Sequence, residues 1–221
     1  GFAGVSLATL LLPLLALLPV LARPAITPAK TTTQASWRTL SAVALPGLVM
    51  CLAGFCYSAM TYFSPLLALD RGWHATWAPL TAFSLGLVAM RIGFSTLPDR
   101  LGGIKTTVLS LGAMTLALST LFAAQSPTMG LIASLACGAS YAFIYPALGR
   151  VAVRSLSSIG AGSVIAAYSA FNDLALAITN PVLGLIADRA GIGAVYAVAA
   201  CASLTGILLT GYLSTRTDRA N

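Results

Sequence analysis

The chain has 221 residues, 58% of them apolar, with 12 basic residues against 5 acidic ones, all Asp, and a mean hydropathy of +0.91. Only 8% of residues are charged, against roughly 25% in an ordinary soluble domain, so the charged skin of a soluble globule is missing and the apolar content excludes a disordered chain. The net charge of +7 does not point to nucleic acid, because the basic residues are scattered through apolar sequence instead of forming a patch.

What remains is an all-α, polytopic membrane helix bundle. Uncharged runs cover 1–22, 39–69, 72–90, 106–149 and 190–215, and 155–187 holds one charge, Asp173. A membrane helix needs about 20 apolar residues. The run 106–149 is too long for one span and divides at Gln125-Ser126-Pro127, a turn sequence. Seven spans result: 1–22, 40–68, 75–97, 105–124, 128–149, 160–187 and 192–213. The runs are continuous, without the alternation of a β-barrel strand. Residues 23–38, with Pro24, Pro28 and the run Thr31-Thr32-Thr33, form the longest polar stretch and read as a cytoplasmic linker. The chain begins at Gly1 in an apolar run, which is expected of a fragment whose earlier part is missing; a cut signal peptide is the rival, but no basic n-region precedes the run.

The basic residues set the orientation. Arg23, Lys30, Arg38, Arg91, Arg100, Lys105, Arg150, Arg154, Arg216 and Arg219 fall on one side, and only Arg71 and Arg189 on the other. The richer side is cytoplasmic, so the C-terminus and the tail 216–221 are inside. Cys51, Cys56, Cys137 and Cys201 lie within spans and read as apolar filler. They show no metal or redox spacing, so neither a metal site nor a cofactor is expected. His74, the one histidine, lies in an outer loop between Trp73 and Trp77, an interfacial setting.

Span three ends in Leu97-Pro98-Asp99-Arg100-Leu101-Gly102, and span six in Ile186-Ala187-Asp188-Arg189-Ala190-Gly191. The two copies fall on opposite membrane faces, as an inverted repeat of spans two to four and five to seven requires. Arg91 and Asp173 are the only charges well inside spans, each in the middle helix of its triplet. Spans four and seven carry none and face lipid in this scheme.

Small and polar residues at helical spacing mark faces expected to point inward. They are Gly47, Cys51, Gly54, Ser58, Thr61 or Tyr62 and Pro65 on span two; Ser134, Gly138, Tyr141, Tyr145 and Gly149 on span five; and Gly162, Ala166, Ser169, Asp173, Ala177, Asn180 and Gly184 on span six. Helix packing explains most of the small residues. Tyr57, Tyr62, Tyr141, Tyr145, Asn172 and Asn180 are the candidates for a cavity wall, since polar atoms in hydrocarbon need partners or water. Asp173, midway along span six, is the candidate proton carrier, because burial favours the neutral carboxyl; Arg91 is its candidate partner, or else snorkels to the inner face.

The stretch from Arg91 through Leu97-Pro98-Asp99-Arg100-Leu101-Gly102-Gly103 to Lys105 resembles the cytoplasmic signature loop of major facilitator superfamily (MFS) transporters. A narrower likeness, to bacterial YhhS/YfcJ-type permeases often labelled arabinose-efflux-like, runs through Tyr145–Gly149, Val151–Arg154, Tyr168–Leu176 and Asn180–Gly184. The pattern departs at Ser95, Gly103, Ile104, Arg150 and Asn180. The resemblance implies the last helix of an N-terminal half followed by a six-helix C-terminal half over 39–215, built as a 3+3 inverted repeat. It also implies alternating access for a small-molecule substrate, proton-coupled as efflux or uptake, in a bacterial inner membrane. The partners are then the lipid bilayer, the substrate and the missing N-terminal half. In that scheme Asp99, Arg100, Gly102 and Lys105 belong to a cytoplasmic latch, with Arg150 and Arg154 on the same side as pairing partners for Asp99. A heptahelical receptor or a structural membrane protein is the alternative. The repeat has no role in a receptor, and span seven has no Lys for a retinal. An enzyme is not expected, since the one histidine lies outside the spans and Asp173 is the only acid buried within them, so paired carboxylates are lacking.

Overall fold

The computed structural model describes residues 2–21, 37–155 and 160–218, and every regular element among them is helical. The chain divides into two compact units, Gly1–Thr32 and Thr33–Asn221. The first holds α1 (Phe2–Leu21), a 20-residue apolar helix. Most of the expected linker, with Arg23 and Lys30, falls outside the described residues, as does the end of the tail.

The second unit opens with a short helix, α2 (Trp37–Ala42), then α3 (Ala44–Ser58), a π-helical turn (Ala59–Phe63) and α4 (Ser64–Asp70). The π turn ends two residues before Pro65, which has no N–H to return to the preceding turn. Its carbonyls find side-chain donors instead: the Tyr196 hydroxyl donates to the Ala59 carbonyl at 3.3 Å, and the Ser64 hydroxyl to that of Met60 at 2.6 Å. Next come α5 (Ala78–Gly93), the one-turn α6 (Leu97–Leu101), α7 (Gly103–Ala123), α8 (Pro127–Tyr141), α9 (Ile144–Ser155), α10 (Ala161–Ala190) and α11 (Ile192–Asp218). Ser126 caps α8, accepting from the Met129 N–H, and Pro127 takes its first position, so the expected turn is in place.

Among the described residues five helical stretches are long and apolar enough to cross a membrane: Ala44–Asp70, Gly103–Ala123, Pro127–Arg154, Ala161–Ala190 and Ile192–Thr215. The expected third span, 75–97, is shorter. Its helix α5 has 16 residues, roughly 24 Å at 1.5 Å per residue, because the chain breaks at Phe94 and restarts on Pro98 as α6. Arg150 and Arg154 extend the fifth span as part of α9 and do not lie in the loop after it.

The packing crosses over between the triplets. α5 packs on α8 and α10 on α3; α7 lies against α8 and α9, α11 against α3, and α7 and α11 meet each other. Gly86 and Gly138 let the α5 and α8 backbones touch: a Cβ on Gly86 would strike the Leu135 carbonyl, and one on Gly138 the Phe83 carbonyl. At the α3–α10 crossing the Phe171 ring covers Gly47, Ala175 sits over Gly54, and the Ser58 and Thr179 hydroxyls share a buried hydrogen bond of 2.8 Å. The core between these pairs is filled by Met50, Met60, Leu111, Met114, Leu118, Ile144, Leu148, Leu183 and Tyr196. The outward faces of α7 and α11 expose Leu109, Leu116, Leu204 and Leu208, the composition a lipid-facing surface needs.

The two Asp-Arg-x-Gly copies end alike. Gly102 has φ 83 and ψ 157, Gly191 has φ 85 and ψ 160, and each is the hinge between the second and third helices of its triplet. Their N–H groups donate to Pro98 and Ala187 at 3.2 and 3.0 Å. That backbone region is essentially restricted to glycine, and other residues pay about 1–3 kcal/mol to enter it. Gly102→Ala and Gly191→Ala are therefore each expected to destabilise the bundle by about 1–3 kcal/mol, read as a lowered thermal midpoint in detergent; an unchanged midpoint would mean the hinges relax freely.

The loop after α4 departs from expectation in one respect. His74 and Trp77 are exposed, but Trp73 is buried, its ring covering Gly130 at the start of α8. Arg71 also turns inward. Its guanidinium donates to the Ala124 carbonyl and, at 3.0 Å, to that of Phe122, closing the C-terminal end of α7 with a positive charge.

Candidate functional site

The polar seams on the three helices have different fates. On α3 the seam is a packing face: Gly47, Gly54 and Ser58 are buried beneath α10. On α8 Ser134 and Gly138 are likewise buried. On α10 the expected inward face points out. The helix is held by Val164, Ala167, Tyr168, Phe171, Ala175, Thr179 and Leu183. Gly162, Ala166, Asp173 and Ala177 are exposed, and Ser169, Asn180 and Gly184 half-buried. Asp173 is two residues from both Phe171 and Ala175, about 200° around the helix from each, so it lies opposite the packed stripe. The carboxylate expected to be buried within the bundle is thus on its surface.

The candidate cavity residues fall into separate groups. Tyr57 and Tyr141 are in ring contact, centroids 5.1 Å apart, and Phe83 of α5 completes the cluster at 6.2 and 6.3 Å. Tyr145 stacks obliquely on Tyr168 at 5.1 Å and shares a 2.8 Å hydrogen bond with Ser169, while the Tyr168 hydroxyl donates to the Tyr145 carbonyl at 3.2 Å. Asn172 is half-buried and Tyr62 exposed. Asn180 has its side-chain oxygen shielded with no hydrogen-bond donor, one residue before Pro181 in mid-helix. Phe83, Ser169 and Tyr168 join these groups through space. The aromatic spacing along α9 and α10 signals Tyr168, and nothing local signals Phe83.

The charged residues pair differently from the expectation for Arg91. Arg91 is exposed in the last turn of α5 and Asp173 on α10; among the described residues they form no ion pair, and their helices pack on different partners. The pair that does form is Arg150 with Asp99, joining α9 to the signature loop. Arg100 and Lys105 on either side of the Gly102 hinge are exposed, as is Arg154 one turn beyond Arg150. Both partners of the Arg150–Asp99 pair are accessible to solvent, so its worth to stability is about 0–1 kcal/mol, and its value lies in fixing the loop against α9.

Helical stretches long and apolar enough to span a membrane, packed on one another in crossed pairs, define a multi-pass membrane protein. The chain belongs to the major facilitator superfamily, whose family model matches residues 1–180 and again 80–221. It is similar to the uncharacterised MFS-type transporter YhhS of Salmonella paratyphi C (strain RKS4594), with 31% identity over 220 residues, all of this chain and 54% of that protein. YhhS of Escherichia coli (strain K12) is 30% identical over 216 residues, 98% of this chain and 53% of that protein. The chain spans about half the length of the curated relatives it matches. No solved structure matches it. Family membership displaces the heptahelical receptor considered above.

Proposed function

We propose that this chain forms the C-terminal half of a proton-coupled MFS transporter of small solutes. In this reading α1 is the last helix of the N-terminal half, 23–38 a cytoplasmic linker, 39–215 the six-helix bundle and 216–221 a cytoplasmic tail. The bundle is a 3+3 inverted repeat, supported by the exchanged packing of the triplets and by the matching Gly102 and Gly191 hinges. The transporter works by alternating access in a bacterial inner membrane, with its C-terminus inside by the basic-residue bias.

The observation that carries this reading is the exposed face of α10. An ionisable residue on a membrane helix is expensive against lipid and is kept for a partner or a water-filled route. Asp173, Asn172 and Ser169 on that face suit a translocation route shared with the other half, with Asp173 as proton carrier and Tyr57, Tyr62, Tyr141, Tyr145 and Asn180 as further wall candidates. The test is solute flux in proteoliposomes of the whole transporter under an imposed pH gradient. Gradient-driven accumulation of a solute is expected; equilibration that ignores the gradient would remove proton coupling.

Asp99, Arg100, Gly102 and Lys105 act in this scheme as a cytoplasmic latch, held by Arg150. Asp99→Asn is expected to insert normally, with a stability change within about 1 kcal/mol, and to slow transport several-fold. The double charge swap Asp99→Arg with Arg150→Asp should restore part of the rate. Unchanged flux in Asp99→Asn would sink the latch.

A further inference from the structure

A cleft of about 420 Å³ opens between α9 and α10, within the size range of pockets that hold drug-sized molecules. Tyr145, Pro146, Val153 and Tyr168 give it apolar and aromatic walls, and the side chains of Arg150 and Arg154 also line it. Among the described residues no acidic side chain lines it. The two phenol hydroxyls are already committed: that of Tyr145 is bonded to Ser169, and that of Tyr168 donates to the Tyr145 carbonyl. The cleft thus offers aromatic rings and not free hydroxyls.

The two arginines differ in what they have left to give. They stand four residues apart on one helix, hence on one face, where like charges repel. Arg150 is neutralised by Asp99. Arg154 has no ion-pair partner among the described residues, and residues 155–159 beyond it contain no acid. Arg154 lines an apolar cleft and is itself exposed; such a side chain, with its neighbour's charge already matched, is complementary to one acid group carried on an apolar body. A neutral sugar would find almost no polar partner there.

We infer that this cleft binds a small organic anion, a carboxylate, sulfonate or phosphate monoester with an apolar body, its acid group on Arg154. The inference rests on the transport reading for its role, since it names the substrate class; the binding itself stands apart from transport. The positive-inside bias puts Arg150 and Arg154 on the cytoplasmic side, so the anion enters from within, as export requires.

The test is calorimetric titration of the purified protein in uncharged detergent with 2-naphthalenesulfonate and its neutral sulfonamide. The anion is expected to bind about tenfold more tightly, the usual size of one charge-assisted contact. Arg154→Gln should remove that preference and Arg154→Lys keep most of it. Val153→Trp, which fills the cleft, should abolish binding of both probes without lowering the thermal midpoint. Equal affinity for the two probes, or a preference that survives Arg154→Gln, overturns the inference. Displacement of the probe by phosphatidylglycerol but not phosphatidylcholine in nanodiscs overturns it too, by assigning the cleft to a lipid. If the anion binds as expected but no solute is ever driven by a pH gradient, the transport reading fails and the cleft stands. Gradient-driven flux with no anion preference is the reverse case.

Discussion

Asp173→Asn is expected to leave a protein that inserts and melts within about 2 °C of its parent, yet accumulates no solute under a pH gradient. The carboxylate is on the open face of α10, away from the stripe through which that helix grips α3. Among the described residues it makes no ion pair, so its charge holds nothing in the bundle together. Asparagine keeps the size and the hydrogen-bonding amide oxygen but cannot carry a proton. Exchange of labelled for unlabelled solute at equal pH should therefore continue, while net uphill flux falls to the level of empty vesicles. Loss of expression or of the folded protein would instead give Asp173 a structural role.

Gly138→Ala is expected to have the largest effect on stability. The substituent would meet the Phe83 carbonyl, which is backbone and has no rotamer to escape into. Gly86 faces the same difficulty against the Leu135 carbonyl, so the α5–α8 crossing is tight on both sides. The helices must separate, and with them the Tyr57–Phe83–Tyr141 cluster. The cost is about 3 kcal/mol, the upper end of typical overpacking, or roughly 10 °C in thermal midpoint. Gly112→Ala on α7 is the matched control, since nothing lies within 4 Å of its added carbon. It removes a glycine from a helix interior and should be neutral or stabilising by up to about 1 kcal/mol. Equal behaviour of the two variants would mean the crossing is looser than described.

Much of this architecture was legible because membrane helices advertise their length and ends. Long apolar runs mark α7, α10 and α11, Ser126-Pro127 starts α8, and Asp-Arg-x-Gly marks two hinges that demand glycine. The π turn at Ala59–Phe63 was hidden, because the donor that completes it, Tyr196, is remote in sequence. So was the inward turn of Arg71, whose targets are carbonyls at the end of α7. The seams show a further limit. Small and polar residues at helical spacing identify a face but not what that face meets: on α3 it meets α10, and on α10 Gly162, Ala166, Asp173 and Ala177 are exposed among the described residues. Periodicity is a property of one helix, and burial is a property of its neighbours.

The central claim, that the Asp173 face borders an aqueous route, is tested most directly by thiol labelling in membranes of the whole transporter. Cys201, exposed on α11 with Leu204 and Leu208, is a built-in reference. Asp173→Cys is expected to react with a charged, membrane-impermeant methanethiosulfonate, while Cys201 reacts only with a lipid-soluble maleimide. If the cysteine at 173 behaves like Cys201, the face is against lipid and the proposed route is wrong.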